Sequence, residues 1–190
     1  MSTAEKWDPM SEADYLAGEV VAEDKHEYIA GVVYAMAGGS NSHNSIAGNV
    51  FGSLYSRLRG KPCKPWNSDT KVRILLATGT RYYYPDAMVV FDPNRSDDSW
   101  QDRPVVIVEV LSESTRRTDE WEKKDAYLSI ATLGIYLMVE QDKPLVVAWR
   151  RSADGFRREV YEGVGTLIPL PEIGIELPVA ELYGGSEIQA

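Results

Sequence analysis

Three residues of this sequence have types and settings suited to metal-assisted hydrolysis: Asp86 behind Pro85, Glu109 within the apolar run 105–111, and Lys123 closing Asp119-Glu120-Trp121-Glu122-Lys123. Residues 86–91 and 104–111 read as strands, and the polar loop between them has a length that suits an antiparallel pair. If the loop closes around residues 92 and 103, position 86 falls opposite position 109 and the two carboxylates lie side by side. Like charges directly across a sheet are destabilising, and the run around Glu109 is apolar enough to be buried on both faces. A buried carboxylate beside another needs a proton or a cation. Mg²⁺ or Mn²⁺ is the natural cation, because hard divalent ions choose oxygen ligands and keep water and substrate phosphates as the rest of their shell. Such an ion would polarise a phosphodiester and generate hydroxide.

Lys123 would supply a base or a charge stabiliser. On a helix, Asp119, Lys123, Ala126, Tyr127 and Ile130 share one face. That face is otherwise apolar and should lie on the sheet, pointing the ammonium at the carboxylates, where it could orient or deprotonate water or stabilise developing charge. Each residue also has a plainer reading. Asp86 could be a turn residue at a strand start, and Lys123 could pair with Asp119 on the helix surface, the commoner fate of such a pair. Glu109 is harder to dismiss, since charged residues are rarely buried without a partner. His43 reads as a cap or solvated histidine ahead of a catalytic one, and His26, beside Glu27, as a surface residue ahead of a ligand; with these and one cysteine, a zinc site is not expected. Tyr82-Tyr83-Tyr84 and Trp100 could stack on bases, although strand tyrosines usually pack. Cys63 lies between Lys61 and Lys64 and is treated as incidental, and no Walker-type glycine loop is present.

The elements that must position these groups alternate. A short helix is expected over 11–16 with Ser11 as N-cap, and a tight hairpin over 28–34 around Ala30-Gly31. Apolar residues at Ile46, Val50, Leu54 and Leu58 mark an amphipathic helix over 43–58, ended by Gly60 and Pro62. Strands follow at 71–76, 82–91 and 104–111, then a helix over 118–131 with acidic residues in its first turn. Further strands at 136–140, 145–150, 156–161, 166–170 and 175–177 precede a short helix at 179–183. This order predicts an α/β (α+β) fold, a mixed sheet flanked by helices with additional hairpins, over one domain spanning 1–190.

With 190 residues and 44% hydrophobic content, the chain can bury its own core. The first ten residues lack the apolar run of a secretory signal, no stretch reaches the length of a membrane helix, and the single cysteine permits no internal disulfide. A cytoplasmic protein with no membrane partner is expected. The net charge of −9 argues against a broad basic face for nucleic acid. A cation-binding carboxylate cluster accounts for part of it, and basic pairs remain at Arg116-Arg117, Lys123-Lys124, Arg150-Arg151 and Arg157-Arg158.

These residues resemble a known family, the Uma-two family of restriction endonuclease-like proteins, a branch of the PD-(D/E)XK nuclease superfamily. The matching segments are 25–31 (Lys-His-Glu-Tyr-Ile-Ala-Gly), Ser42-His43-Asn44, Tyr84-Pro85-Asp86, 108–115 (Val-Glu-Val-Leu-Ser-Glu-Ser-Thr), 119–123 and 173–177 (Ile-Gly-Ile-Glu-Leu), together spanning nearly the whole chain. The resemblance implies a restriction endonuclease-like fold, with Asp86 and Glu109 as the acidic pair and Glu27 as an additional acidic residue near the site. It implies a Mg²⁺-dependent endonuclease acting on DNA. Two positions depart from the pattern. Leu111 stands where the superfamily lysine would be, with Lys123 in its place on the helix, and Ile135 stands where a Glu is expected. A degenerate nuclease fold serving as a binding or interaction module is the alternative, and a hydrolase of some other substrate is a third. Strand edges in the tail would suit a homodimer, whose two sites could cut two strands.

Overall fold

The computed structural model describes residues 9–36, 38–112 and 118–185. Helix α1 (Glu12–Val21) begins at Ser11, whose hydroxyl accepts from the Asp14 amide, and runs five residues past the end expected from the sequence. The hairpin β1 (His26–Ile29) and β2 (Val32–Ala35) turns at Ala30 and Gly31, both with positive φ, the conformation a two-residue hairpin turn demands. A Cβ at Gly31 would stand 2.4 Å from the Pro9 side chain, so glycine is also a spatial requirement there. Helix α2 (Asn41–Leu58) is capped by Ser40 and buries Ile46, Val50, Leu54 and Leu58, the stripe seen in the sequence.

The strands that follow are β3 (Lys64–Asn67), β4 (Lys71–Leu76), β5 (Gly79–Tyr83), β6 (Ala87–Val90), β7 (Trp100–Gln101) and β8 (Pro104–Leu111). The expected strand over 82–91 is therefore two strands in two sheets. Pro85 lacks an amide hydrogen and cannot continue a ladder, so the chain turns at Tyr84-Pro85-Asp86 from one sheet into the other. Likewise the expected helix over 118–131 is a π-helical turn, Thr118–Lys123, running into a short α3 (Lys124–Leu128). Strands β9 (Ile135–Glu140), β10 (Leu145–Ser152), β11 (Gly155–Glu162), β12 (Leu167–Leu170) and β13 (Ile175–Pro178) and helix α4 (Val179–Leu182) complete the order, close to the positions expected.

The strands form a six-stranded sheet in the order β11-β10-β9-β8-β6-β3, a five-stranded sheet β2-β1-β5-β4-β7, and the pair β12-β13. In the larger sheet β8 and β9 are parallel, joined through the π-turn and α3; the other pairings are antiparallel. One face of this sheet packs on α2, α4 and the β12-β13 pair through Val106, Val108 and Val110. The other face, carrying Ile107 and Leu111, meets α3 and the five-stranded sheet. Helix α1 covers that second sheet's far side through Tyr15, Tyr28 and Tyr82. The mixed α/β architecture with flanking helices is as the sequence predicts.

Candidate active site

From Ala87 to Val89 the β6–β8 register is the one inferred from the loop, with Ala87 facing Val108, Met88 facing Ile107 and Val89 facing Val106; at Val90, which faces Pro104, it slips by one residue. Asp86 leaves the start of β6 at the same end of the sheet where Glu109 approaches the end of β8. Alternation along β8 sends Glu109 toward α3, with Ile107 and Leu111. Both carboxylates are recessed, Asp86 at 9% exposure and Glu109 at 4%. On β1, Tyr28 faces Tyr82 and points toward α1, so its neighbour Glu27 projects to the opposite side, toward α3. Lys123 is 6% exposed, which overturns the surface-pair reading. The helix face inferred from Lys123, Ala126, Tyr127 and Ile130 is the buried one.

Each carboxylate is tied to the fold by named contacts. Asp86 Oδ2 accepts the Val110 amide at 2.7 Å and lies 3.3 Å from His43 Nε2. Glu109 Oε1 accepts the Tyr127 hydroxyl at 2.7 Å and lies 3.7 Å from Lys123 Nζ. Lys123 Nζ is also 2.8 Å from Glu27 Oε1 and sits over the Tyr83 ring. The structure thus brings Asp86, Glu109, Lys123 and Glu27 together. Asp86, Glu109 and Lys123 line one cleft of about 1000 Å³ with His43 and Tyr84. Asp119, named with Lys123 in the sequence reading, has its side chain outside the described residues.

His43 is the residue the sequence reading undervalued. It occupies the first turn of α2 and faces the acid, and its bond to Asp86 holds the imidazole above its ordinary value of 6.5 against the opposing effect of burial. Gly39 packs against it; a Cβ there would come within 2.8 Å of His43 Nδ1. Burial pushes the Tyr127 phenol well up, and the neighbouring Glu109 charge adds to the effect, so the hydroxyl stays protonated and donates.

Other candidates lie elsewhere. His26 pairs with Glu19 at 2.9 Å on the far side of β1. Cys63 is buried in the α2 core, and burial raises its thiol pKa. Tyr82 and Tyr83 are fully buried and unavailable for stacking on a base, whereas Tyr84 lines the cleft. Leu111 and Ile135, the two departures from the nuclease pattern, are both core residues.

The donor set fits a hard divalent cation. Two recessed carboxylates stand at adjacent positions beside an open cleft, and oxygen donors of this kind are what Mg²⁺ and Mn²⁺ take. Among the described residues no group of three or more His, Cys, Asp or Glu is arranged around a common metal position.

Among solved structures the chain is similar to "a putative nuclease" from Anabaena variabilis, with a TM-score of 0.68 at 17% identity over 85% of this chain and 91% of that one, a likeness of fold. An uncharacterized protein of Synechocystis sp. is 31% identical over 177 residues, covering 93% of this chain and 92% of its own length. A second uncharacterized protein of the same organism is 32% identical over 135 residues, 70% of this chain and 75% of that one. No helix among the described residues is long and apolar enough to cross a membrane. Residues 13–180 match the model of Uma2, described as "Putative restriction endonuclease", and the chain belongs to that family.

Proposed function

We propose that this protein is a Mg²⁺-dependent (or Mn²⁺-dependent) endonuclease that hydrolyses phosphodiester bonds of DNA, with Asp86 and Glu109 holding the metal. The observation that carries this reading is the meeting of Asp86, Glu109 and Lys123, all recessed, on one cleft. A bound divalent ion would neutralise the two carboxylates, polarise the phosphodiester and acidify water. The chain's own residues do the rest. The Val110 amide restrains Asp86 through Oδ2, and the Tyr127 hydroxyl restrains Glu109 through Oε1. Lys123 brings a cation beside Glu109, where it orients water and stabilises charge developing on the phosphoryl oxygens, and Glu27 holds that ammonium in place.

The reading takes residues 1–190 as one domain working in the cytoplasm without a membrane partner. It also takes two copies to act together, with the edge strand β11 available for pairing. The rival reading, a degenerate nuclease fold serving as a binding module, is favoured by Leu111 and Ile135 at positions where the pattern has Lys and Glu, and by Glu23 and Asp24 on the cleft wall. Incubation of supercoiled plasmid with the protein and Mg²⁺ or Mn²⁺ separates the two. Nicking that chelator abolishes, and that Asp86→Asn and Glu109→Gln each lower by about 100-fold or more, supports the nuclease. Nicking that survives Glu109→Gln sinks the mechanism, and DNA retention without cutting selects the binding module.

A further inference from the structure

We infer that Tyr127 is a positioning residue of the metal site, setting the orientation of Glu109 through its hydroxyl; the inference rests on the metal-binding reading above. Tyr127 is fully buried, and its ring lies edge-on between Tyr83 and Tyr136, with centroids 5.7 and 5.2 Å away. Phenylalanine would fill the same space, so packing alone does not call for the hydroxyl. A buried hydroxyl does require an acceptor, and here that acceptor is Glu109 Oε1 at 2.7 Å.

Tyr127 follows Lys123 by four residues, so one turn of helix delivers a cation and a neutral donor to the same carboxylate oxygen. Lys123 is shared with Glu27 and stands 3.7 Å from Oε1. Tyr127 gives the same oxygen a shorter contact, 2.7 Å, which restrains the carboxylate's rotation beside Asp86. Partners of metal-binding carboxylates commonly change metal affinity by about 10- to 100-fold when removed.

The test is Mn²⁺ titration by calorimetry on the full chain, comparing the native protein with Tyr127→Phe and with Tyr183→Phe. The control removes another buried hydroxyl, one that serves the Glu140 and Leu145 carbonyls in the opposite core. Thermal melts accompany each titration to establish that each variant is folded. The expected result is Mn²⁺ affinity weakened about 10- to 100-fold in Tyr127→Phe and unchanged in Tyr183→Phe, whatever each variant loses in melting temperature. Native-like affinity in a folded Tyr127→Phe overturns the inference while leaving the metal site standing. Equal weakening in both variants also overturns it, because the effect then comes from general loosening. A native protein that binds no Mn²⁺ overturns the metal reading, and this inference with it.

Discussion

Removal of Glu27 should take a close carboxylate partner from the Lys123 ammonium, and the cost can be worked from the geometry. The two side chains are 12% and 8% exposed and 2.8 Å apart, and Glu109 lies 3.7 Å from the same nitrogen. With an effective dielectric of about 20, those separations correspond to gross attractions of about 6 and about 4.5 kcal/mol, largely offset by desolvation. Breaking a buried pair by deleting one partner typically costs about 3–5 kcal/mol. Glu109 remains beside Lys123, so Glu27→Met should fall at the low end, about 3 kcal/mol. In a domain of this size, that lowers the melting temperature by about 6–12 °C. Lys123→Met should cost more, since it leaves two recessed carboxylates facing each other without their shared cation. The double variant should then lose less than the sum, with a coupling of about 2–3 kcal/mol. Chemical denaturation of all four proteins in chelator gives the cycle. A Glu27→Met protein melting within about 2 °C of native, with coupling under about 0.5 kcal/mol, would refute the idea that Glu27 holds Lys123.

The raised pKa of His43 gives a pH signature: the folded pKa lies above the unfolded value of 6.5, so its bond to Asp86 contributes stability that is complete below 6.5 and lost as pH rises through the folded value. The stability gap between native protein and His43→Gln, measured in chelator, should therefore shrink with rising pH; a flat or widening gap contradicts the pairing. Glu159 behaves oppositely. Burial pushes its pKa up, but hydrogen bonds from Tyr161, Arg157 and Arg150 prevail and hold it down at about 2. Its contribution is present above the ordinary value of 4.5 and lost as pH falls toward 2. In acid titrations Glu159→Gln should lack this component, and a parallel native curve would count against it. DNA binding should show a shallow salt dependence, with a log–log slope weaker than about −3, because Arg57, Arg73 and Arg150 are already engaged with carboxylates. A slope near −6 would count against this expectation.

The register of the two acidic strands was legible in the sequence because a bounded apolar run and a loop of definite length leave few ways to pair. The inward face of the second helix was legible for a similar reason: Lys123, Ala126, Tyr127 and Ile130 keep one side at any helical pitch near 3.6. What pitch could not reveal is that the first turn is π-helical, since no residue type in Thr-Asp-Glu-Trp-Glu-Lys marks it. Pro85 did signal a break, yet the apolar residues on both sides overrode it in a local reading, and only the sheet assignment separates β5 from β6. Strand β3 was hidden by Pro65, tolerable because β3 is the sheet's edge. His43 carried no local signal for its role. A histidine in the first turn after Ser40 looks like a cap neighbour until tertiary folding brings the Tyr84-Pro85-Asp86 corner against it.

On the proposed reading, that corner bears on how an acidic protein would present a site for a phosphodiester. The larger sheet supplies Asp86 and Glu109, the smaller sheet supplies Glu27, and the helix between them supplies Lys123 and Tyr127. The site therefore exists only when the core between the sheets is packed, with Tyr127 lodged between Tyr83 and Tyr136. Within it, Glu27, Asp86 and Glu109 face the cationic Lys123 and the titratable His43. A divalent cation would neutralise the three carboxylates and Lys123 taken together, and with His43 protonated it would leave the cluster positive, so a phosphate could then approach even though the chain as a whole is negative. Negative net charge and the proposed phosphodiester chemistry are compatible because the positive charge that would meet the substrate would be held at one point rather than spread over a face.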